Sequence, residues 1–424
     1  MAKSSEFVAP GLHVTMVALL LAFSGAQHLG ILLAAVYAAV FAGFCYVSRM
    51  FTTSLVTIPW IAVKLQLKFA SLLIAYAARG FQPTFPEWTL AFELTISMTR
   101  YIFVEYSSTI VHGNTSRVRD AVKQYGLKIL KPNCRQHNTV PEKLVANGME
   151  HTWLRDADKK QHHVVVIHYH GGGYCISDPL QDVEFANQTH TKLKQILKSQ
   201  YQLDVSVDVL LANYRMAPEF LYPTALNDCF DMYKYVLEHE SIAPNHVVFS
   251  GDSAGAEMSM TNCMRLRKEN PELQPAAALC YSPVVDFNEV KGDEESPYCL
   301  LVTNFLDVCL PLYLHNVTDA EERRLVSPIN NCLVDLPPMF VQWGSLERFY
   351  AQAQRFKAKA ETEGVTNMEF DFLENMVHDV VVLPPAMSPS AEMGIQHGCE
   401  FAARHLAPVL HKTARGRVDP ESEP

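Results

Sequence analysis

Charge is scarce in this chain. Only 19% of its 424 residues are Asp, Glu, Lys or Arg, where a soluble domain carries about a quarter. A basic excess is missing as well. The 35 Lys and Arg face 45 Asp and Glu, a net charge of −10, which argues against a nucleic-acid partner held by a general basic field. Ten cysteines lie at irregular positions with no CxxC pair, so neither a zinc site nor a disulfide framework is legible, and the redox compartment stays open. No internal repeat is visible. The length suits a large core that needs no staples, either as two to three domains or as one large α/β domain with additions.

The shortage of charge is local. Residues 7–48 contain no Lys, Arg, Asp or Glu, and up to Val63 the only charges are Lys3, Glu6 and Arg49. The remaining 361 residues hold 77 charges, or 21%. An apolar leader thus precedes an ordinary globular body. Residues 29–47 are rich in Ala, Leu and Val and nearly match the length of about 20 residues that spans the hydrocarbon as a helix. An earlier apolar stretch, 12–23, allows a hairpin of the two instead of one span. A cleaved signal peptide is the third reading, since AFSGA at 22–26 imitates a cleavage site. Arg49, Lys64 and Lys68 outweigh Lys3, favouring a cytoplasmic C-terminal side. The glycosylation sequons at Asn114, Asn187 and Asn316 point to the lumen.

Four regions follow. A membrane anchor is expected over 1–48, a helical connector and lid over 49–130, an α/β catalytic domain over 131–411 and a polar tail over 412–424. Within the connector, residues 51–78 remain apolar but include Lys64 and Lys68, which suggests an amphipathic helical region lying on the membrane or covering the core. Beyond Pro132, short β-type runs alternate with helix-length segments. HVVVIHY (163–169), DVLLAN (208–213), HVVFS (246–250), AALCY (277–281), MFVQW (339–343) and MEFDFL (368–373) are the strand candidates. Nearly continuous apolar strands separated by helices predict a mostly parallel sheet covered on both faces.

Two glycine motifs carry the chemistry. Gly251-Asp252-Ser253-Ala254-Gly255 ends one strand candidate and opens a helix. In that context a GxSxG sequence makes a tight strand-to-helix turn that presents Ser253 Oγ at the carboxyl end of the sheet. His170-Gly171-Gly172-Gly173-Tyr174 directly follows HVVVIHY. Such a triple glycine leaves backbone N–H groups bare, so Gly171 and Gly172 are the expected oxyanion donors, with Ala254 as the complementary one. The serine needs an acid and a histidine further along the chain, in that order.

These motifs, with Asn213-Tyr214-Arg215-Met216-Ala217-Pro218-Glu219, Tyr222-Pro223, Ser282-Pro283-Val284-Val285-Asp286, Ser327-Pro328 and Leu336-Pro337-Pro338, resemble the hormone-sensitive-lipase-like branch of the α/β-hydrolases. That branch includes arylacetamide deacetylases and fungal steryl acetyl hydrolases. The resemblance covers about Val164 to Val380. It departs at Asn213, where the branch usually has Asp, and at Ala256-Glu257, which replaces a common Gly-Asn. It implies an α/β-hydrolase fold with a helical cap, a serine esterase or deacetylase activity on short-acyl esters, and no cofactor. In Met376-Val377-His378-Asp379-Val380 it points to His378 as the catalytic histidine. Where the branch has Asp in a G-x-x-D-x-L pattern, Gly344-Ser345-Leu346-Glu347-Arg348-Phe349 offers Glu347, with Asp371 and Asp379 as rivals.

No metal site is expected, because the pair His168 and His170 lacks a third ligand at a recognised spacing. The anticipated partners are a lipophilic ester, such as an acetylated sterol, and a membrane, the endoplasmic reticulum being the expected location. Protein partners are not indicated. The competing functions are an acetylesterase acting on a secondary metabolite, a catalytically silent ligand-binding relative of the gibberellin-receptor type, and a membrane scaffold.

Overall fold

The computed structural model describes residues 27–160, 162–289 and 296–415. The apolar stretch 12–23 and the last nine residues fall outside them. Eight strands form one sheet in the order β1-β2-β4-β3-β5-β6-β7-β8. β3 (His162–Tyr169), β4 (Val205–Ala212), β5 (Val247–Asp252), β6 (Ala277–Tyr281), β7 (Met339–Gly344) and β8 (Met368–Leu373) run parallel to one another. β1 (Thr139–Ala146) and β2 (Met149–Asp156) are antiparallel additions at one edge.

The apolar run of β3 has a direct packing reason. Val165, Ile167 and Tyr169 join one core cluster, while Val164 and Val166 join the other, so both faces of the strand are covered. Complete burial of a Val or Ile side chain is worth about 1.5–3 kcal/mol, so any polar substitution along this run would be severe. The helices α6 (Thr224–His239) and α7 (Ser253–Glu269) contribute Tyr233, Val236, Met258 and Cys263 to the first cluster. The second contains Phe185 and Leu193 of α5 (Val183–Tyr201), with Ile395, Cys399 and Leu406 of α11 (Pro389–Arg415).

Two strands and the start of a third differ from the sequence expectation. β1 and β2 carry Glu142, Lys143, Glu150 and Arg155 and face solvent on one side, so they lack the apolar run used to find the others. Their signal was Asn147-Gly148, whose φ values of +52° and +76° form the turn between them, an Asn-Gly hairpin link. β4 starts at Val205 rather than 208 because its polar residues are satisfied internally. Buried Asp208 receives Arg155, Lys159 and His163 at 3.0–3.1 Å; burial opposes its charge, but the contacts with His163, the Asp156 N–H and Lys159 hold its carboxyl well below the usual range. The first residues of the expected tail, 412–415, continue the helix α11, which runs through Arg415.

Among the described residues, four helices precede the sheet: α1 (Gln27–Ser48), α2 (Thr57–Ala78), α3 (Leu90–Gly113) and α4 (Thr115–Gln136). Among the described residues, α2 is long and apolar enough to cross a membrane, its mean hydropathy reaching 1.5. The expected span 29–47 lies within the 22-residue helix α1. Lys64 and Lys68 of α2 both meet residues of α3. Lys64 lies 3.7 Å from Glu105, and Lys68 sits over the Tyr101 ring at 5.9 Å. Trp60, Leu67 and Ile74 remain exposed on α2, as do Val36 and Val40 on α1. The two helices pack on each other, with Phe44 and Phe69 in edge contact at 5.9 Å.

The helical segment is tied to the body across long sequence separations. Trp88 Nε1 donates to the Asn375 carbonyl at 2.7 Å, and the Arg100 guanidinium to that of Cys299 at 2.7 Å. Of the three sequons, Asn187 is fully buried, with its amide donating to Asn133 Oδ1 at 2.7 Å. A glycan there is incompatible with this fold.

Candidate active site

β5 ends at Asp252, and α7 begins at once with Ser253. Ser253 adopts a φ of +48°, a conformation that costs a non-glycine residue roughly 1–3 kcal/mol and is held only by its surroundings. Those surroundings require glycine on both sides. A Cβ on Gly251 would overlap the backbone of Gly255, and one on Gly255 would overlap the Tyr169 carbonyl oxygen at the end of β3. The turn therefore presses two strand ends together and projects the serine above them.

His378 meets this serine from the loop after β8. Its Nε2 lies 2.9 Å from Ser253 Oγ, and its Nδ1 lies 3.0 Å from Glu347 Oε2. Glu347 follows β7 and is itself anchored: its Oε1 accepts from Ser282 Oγ and from the Gly344 N–H, both at 2.6 Å. All three side chains are buried. The two rival acids lie elsewhere. Asp371 accepts from Gln342 Nε2 at 2.7 Å and meets His397 Nδ1 at 2.9 Å, while Asp379 Oδ2 contacts the other ring nitrogen of His378 at 3.0 Å. Burial opposes protonation of His378, but the Asp379 and Glu347 carboxylates outweigh it and raise its pKa well above the ordinary histidine value.

The oxyanion loop differs in one donor. The Gly171 N–H is taken by Asp252 Oδ1 at 2.9 Å, so Gly171 is not free to face a developing negative charge. Gly172 and Gly173 line the cavity instead, together with Ser253 and His378. Their φ values are +113° and +59°, and a Cβ on Gly172 would overlap the Ile176 carbonyl. The Ala254 N–H belongs to the first turn of α7, where a helix leaves its N–H groups without intrahelical partners. His170 supports the loop from beneath. Its Nδ1 pairs with the Gly171 carbonyl at 2.7 Å, its ring stacks on Tyr214 at 4.3 Å, and burial lowers its pKa to about 4, leaving it neutral.

His168 and His170 do not converge on a metal. His168 stands with Asp182 and Asp252, their ligand atoms within 4.8 Å of one another. His168 Nε2 lies 3.3 Å from Asp182 Oδ2 and 3.4 Å from Asp252 Oδ1, and its Nδ1 lies 3.0 Å from Ser250 Oγ, while Asp182 Oδ1 and Asp252 Oδ2 have no hydrogen-bond partner among the described residues. Burial alone would favour the neutral ring, but the two carboxylates raise the pKa to about 9. Asp252 links this cluster to the oxyanion loop.

A cavity of about 180 Å³ opens over Ser253, walled by Phe103, Val122, Ile176, Leu301, Phe305 and Leu383. Phe103 of α3 stacks on Phe305 of α8 (Thr303–Tyr313) with centroids 4.5 Å apart, so helices from the N-terminal segment and from the body close it together. A larger cavity of about 400 Å³ lies between Arg49, Thr52 and Arg117, but no nucleophile and base pair lines it.

Residues 166–382, half of the chain, match the family described as alpha/beta hydrolase fold. An esterase of Acinetobacter venetianus is 30% identical over 241 residues, covering 56% of this chain and 74% of that protein. An acetyl-hydrolase of Streptomyces hygroscopicus is 31% identical over 229 residues, or 53% and 70% of the two chains. Arylacetamide deacetylase of Oryctolagus cuniculus is 26% identical over 174 residues, 40% of each chain. The chain belongs to the hormone-sensitive-lipase-like α/β-hydrolases. The same fold is present in a crystallised esterase of the bacterial hormone-sensitive lipase family, at a TM-score of 0.58 and 21% identity over 75% of this chain and 99% of that one. This hydrolase acts on carboxylic esters.

Its departures from the branch pattern have structural accounts. Glu257, which stands in place of the common Asn, accepts from Tyr174 Oη at 2.8 Å and Thr261 Oγ1 at 2.5 Å. Burial raises its pKa to about 7. Asn213 Oδ1 accepts from the N–H of Tyr214, which carries the ring under His170. Ser282 was quoted only as part of a motif, yet it braces Glu347. Its φ of +51° turns the chain there, a conformation that a Ser-Pro pair does not announce.

Proposed function

We propose that this hydrolase is a membrane-anchored serine esterase that removes short acyl groups, acetyl above all, from esters of lipophilic alcohols such as sterols. The carrying observation is the line Ser253 Oγ, His378 Nε2, His378 Nδ1, Glu347 Oε2, with hydrogen-bond distances of 2.9 and 3.0 Å. In this reading His378 takes the proton of Ser253 as the oxygen attacks the ester carbonyl, and Glu347 stabilises the resulting imidazolium. The N–H groups of Gly172, Gly173 and Ala254 receive the oxyanion. His378 then protonates the departing alcohol, and water repeats the sequence on the acyl-enzyme.

The small, apolar cavity and the acetyl-hydrolase and deacetylase relatives support the short acyl group. Forcing extra methylenes into a packed cavity costs about 1–3 kcal/mol, so an octanoyl ester is expected to show a kcat/KM about ten- to hundred-fold below its acetyl counterpart. A preference for octanoyl over acetyl esters in steady-state kinetics would overturn the deacetylase reading.

The apolar exposed faces of α1 and α2 support anchoring, in a membrane where lipophilic esters dissolve; the endoplasmic reticulum is the proposed location. The full-length chain is expected to stay with the membrane pellet after alkaline carbonate extraction and to be released by detergent. Release by carbonate alone would sink the integral anchor.

A further inference from the structure

His378 Nε2 carries two contacts, Ser253 Oγ at 2.9 Å and Asp379 Oδ2 at 3.0 Å. A carboxylate is attracted to an imidazole nitrogen only when a proton lies between them, on the ring or on the acid. Either placement withdraws Nε2 as a base toward the serine. Asp379 is held in this position by its backbone: its φ is +55°, and its N–H donates at 3.1 Å to Ser282 Oγ, the same hydroxyl that braces Glu347. Its side chain is 16% exposed and lines the substrate cavity, and its Oδ1 has no hydrogen-bond partner among the described residues.

Four other titratable groups face the pair from the packed elements around it. Glu347 follows β7, Asp252 ends β5, Asp182 precedes α5, and the Cys299 thiol comes from the segment before α8. The three acids make it harder for Asp379 to be charged without a proton nearby. Burial first, and then Asp252, raises its pKa to about 7, against the opposing pull of His378.

We propose that Asp379 determines substrate specificity: it rests on His378 Nε2 in the empty site and is drawn off by a hydrogen-bond donor on the substrate. The proton between Nε2 and Asp379 passes to solvent, the donor takes over the carboxylate, and the freed Nε2 accepts the proton of Ser253. Esters with a hydroxyl or N–H two or three bonds from the ester oxygen are therefore turned over faster than their hydrocarbon isosteres. This rests on the serine-esterase reading and narrows the lipophilic alcohols to those with a second polar group near the ester.

The test uses the full-length protein in detergent micelles with two isosteric probes, 2-hydroxyethyl acetate and propyl acetate. A hydrogen bond to a charged group is worth about 1.5–3 kcal/mol, so the wild type is expected to favour the hydroxylated ester by about ten- to hundred-fold in kcat/KM. In Asp379→Asn that ratio falls at least about ten-fold. The acid limb of kcat/KM moves to lower pH by about one to three pH units, as expected when one contacting opposite charge is removed. A wild-type ratio near one overturns the proposal without any variant. So does an Asp379→Asn protein that still reacts with a fluorophosphonate at Ser253 and keeps both the ratio and the acid limb. Hydrolysis surviving Ser253→Ala would instead overturn the serine-esterase reading itself.

Discussion

Ser253→Ala is expected to lower kcat for acetyl esters by about 10⁶-fold, the scale on which loss of a triad serine acts elsewhere. KM should change little, because the Phe103 and Phe305 walls and the Gly172 and Gly173 loop are untouched. Ser177 also lines the cavity, but its hydroxyl is paired with Gln181 and no histidine reaches it among the described residues. His378→Ala is expected to cost about as much, and the double variant no more than either single one, since the two groups act as a unit. Steady-state kinetics with fluorophosphonate labelling checks all three. A Ser253→Ala protein within about ten-fold of wild-type kcat would remove this serine from the reaction.

Glu347→Gln is expected to lower kcat by about 10⁴-fold while leaving the fold intact, as amide replacement of a triad acid does elsewhere. The hydrogen bonds around the residue dictate the outcome. Ser282 Oγ and the Gly344 N–H both donate to Oε1, so the glutamine carbonyl oxygen takes that position and its NH₂ faces His378 Nδ1. A donor there requires Nδ1 to accept, which moves the ring proton to Nε2, the nitrogen that must be bare to receive the serine proton. Asp379 at 3.0 Å from Nε2 favours the same wrong tautomer. Glu347→Asp keeps the charge and is expected to retain far more activity. Equal loss in both variants, at unchanged thermal stability, would mean that side-chain length rather than tautomer control is decisive.

Legibility followed the range over which each feature is determined. The elbow and the glycine loop were readable because their signatures are compact in sequence: Gly251 and Gly255 flank a serine at positive φ, and three glycines follow a buried strand. Parallel strands were visible as apolar runs because both of their faces are covered. The β1–β2 hairpin was not, because a half-exposed edge pair mixes charge with apolar residues; only Asn147-Gly148 marked it. The partners of Lys64 and Lys68, Glu105 and Tyr101, were not readable, since they come from another helix.

The scarcity of charge, the apolar leader, the hydrolase motifs and their order were determined by the sequence alone, because each depends on composition or on neighbours along the chain. Which glycine N–H is occupied, which acid meets His378 Nδ1 and which meets Nε2 were decided only by the tertiary structure. Gly171 and Asp252 are 81 residues apart, and Glu347 and His378 are 31 apart. Hydrogen bonds of about 3 Å between such groups exist only after the sheet has brought the strand ends together, and no local pattern encodes them.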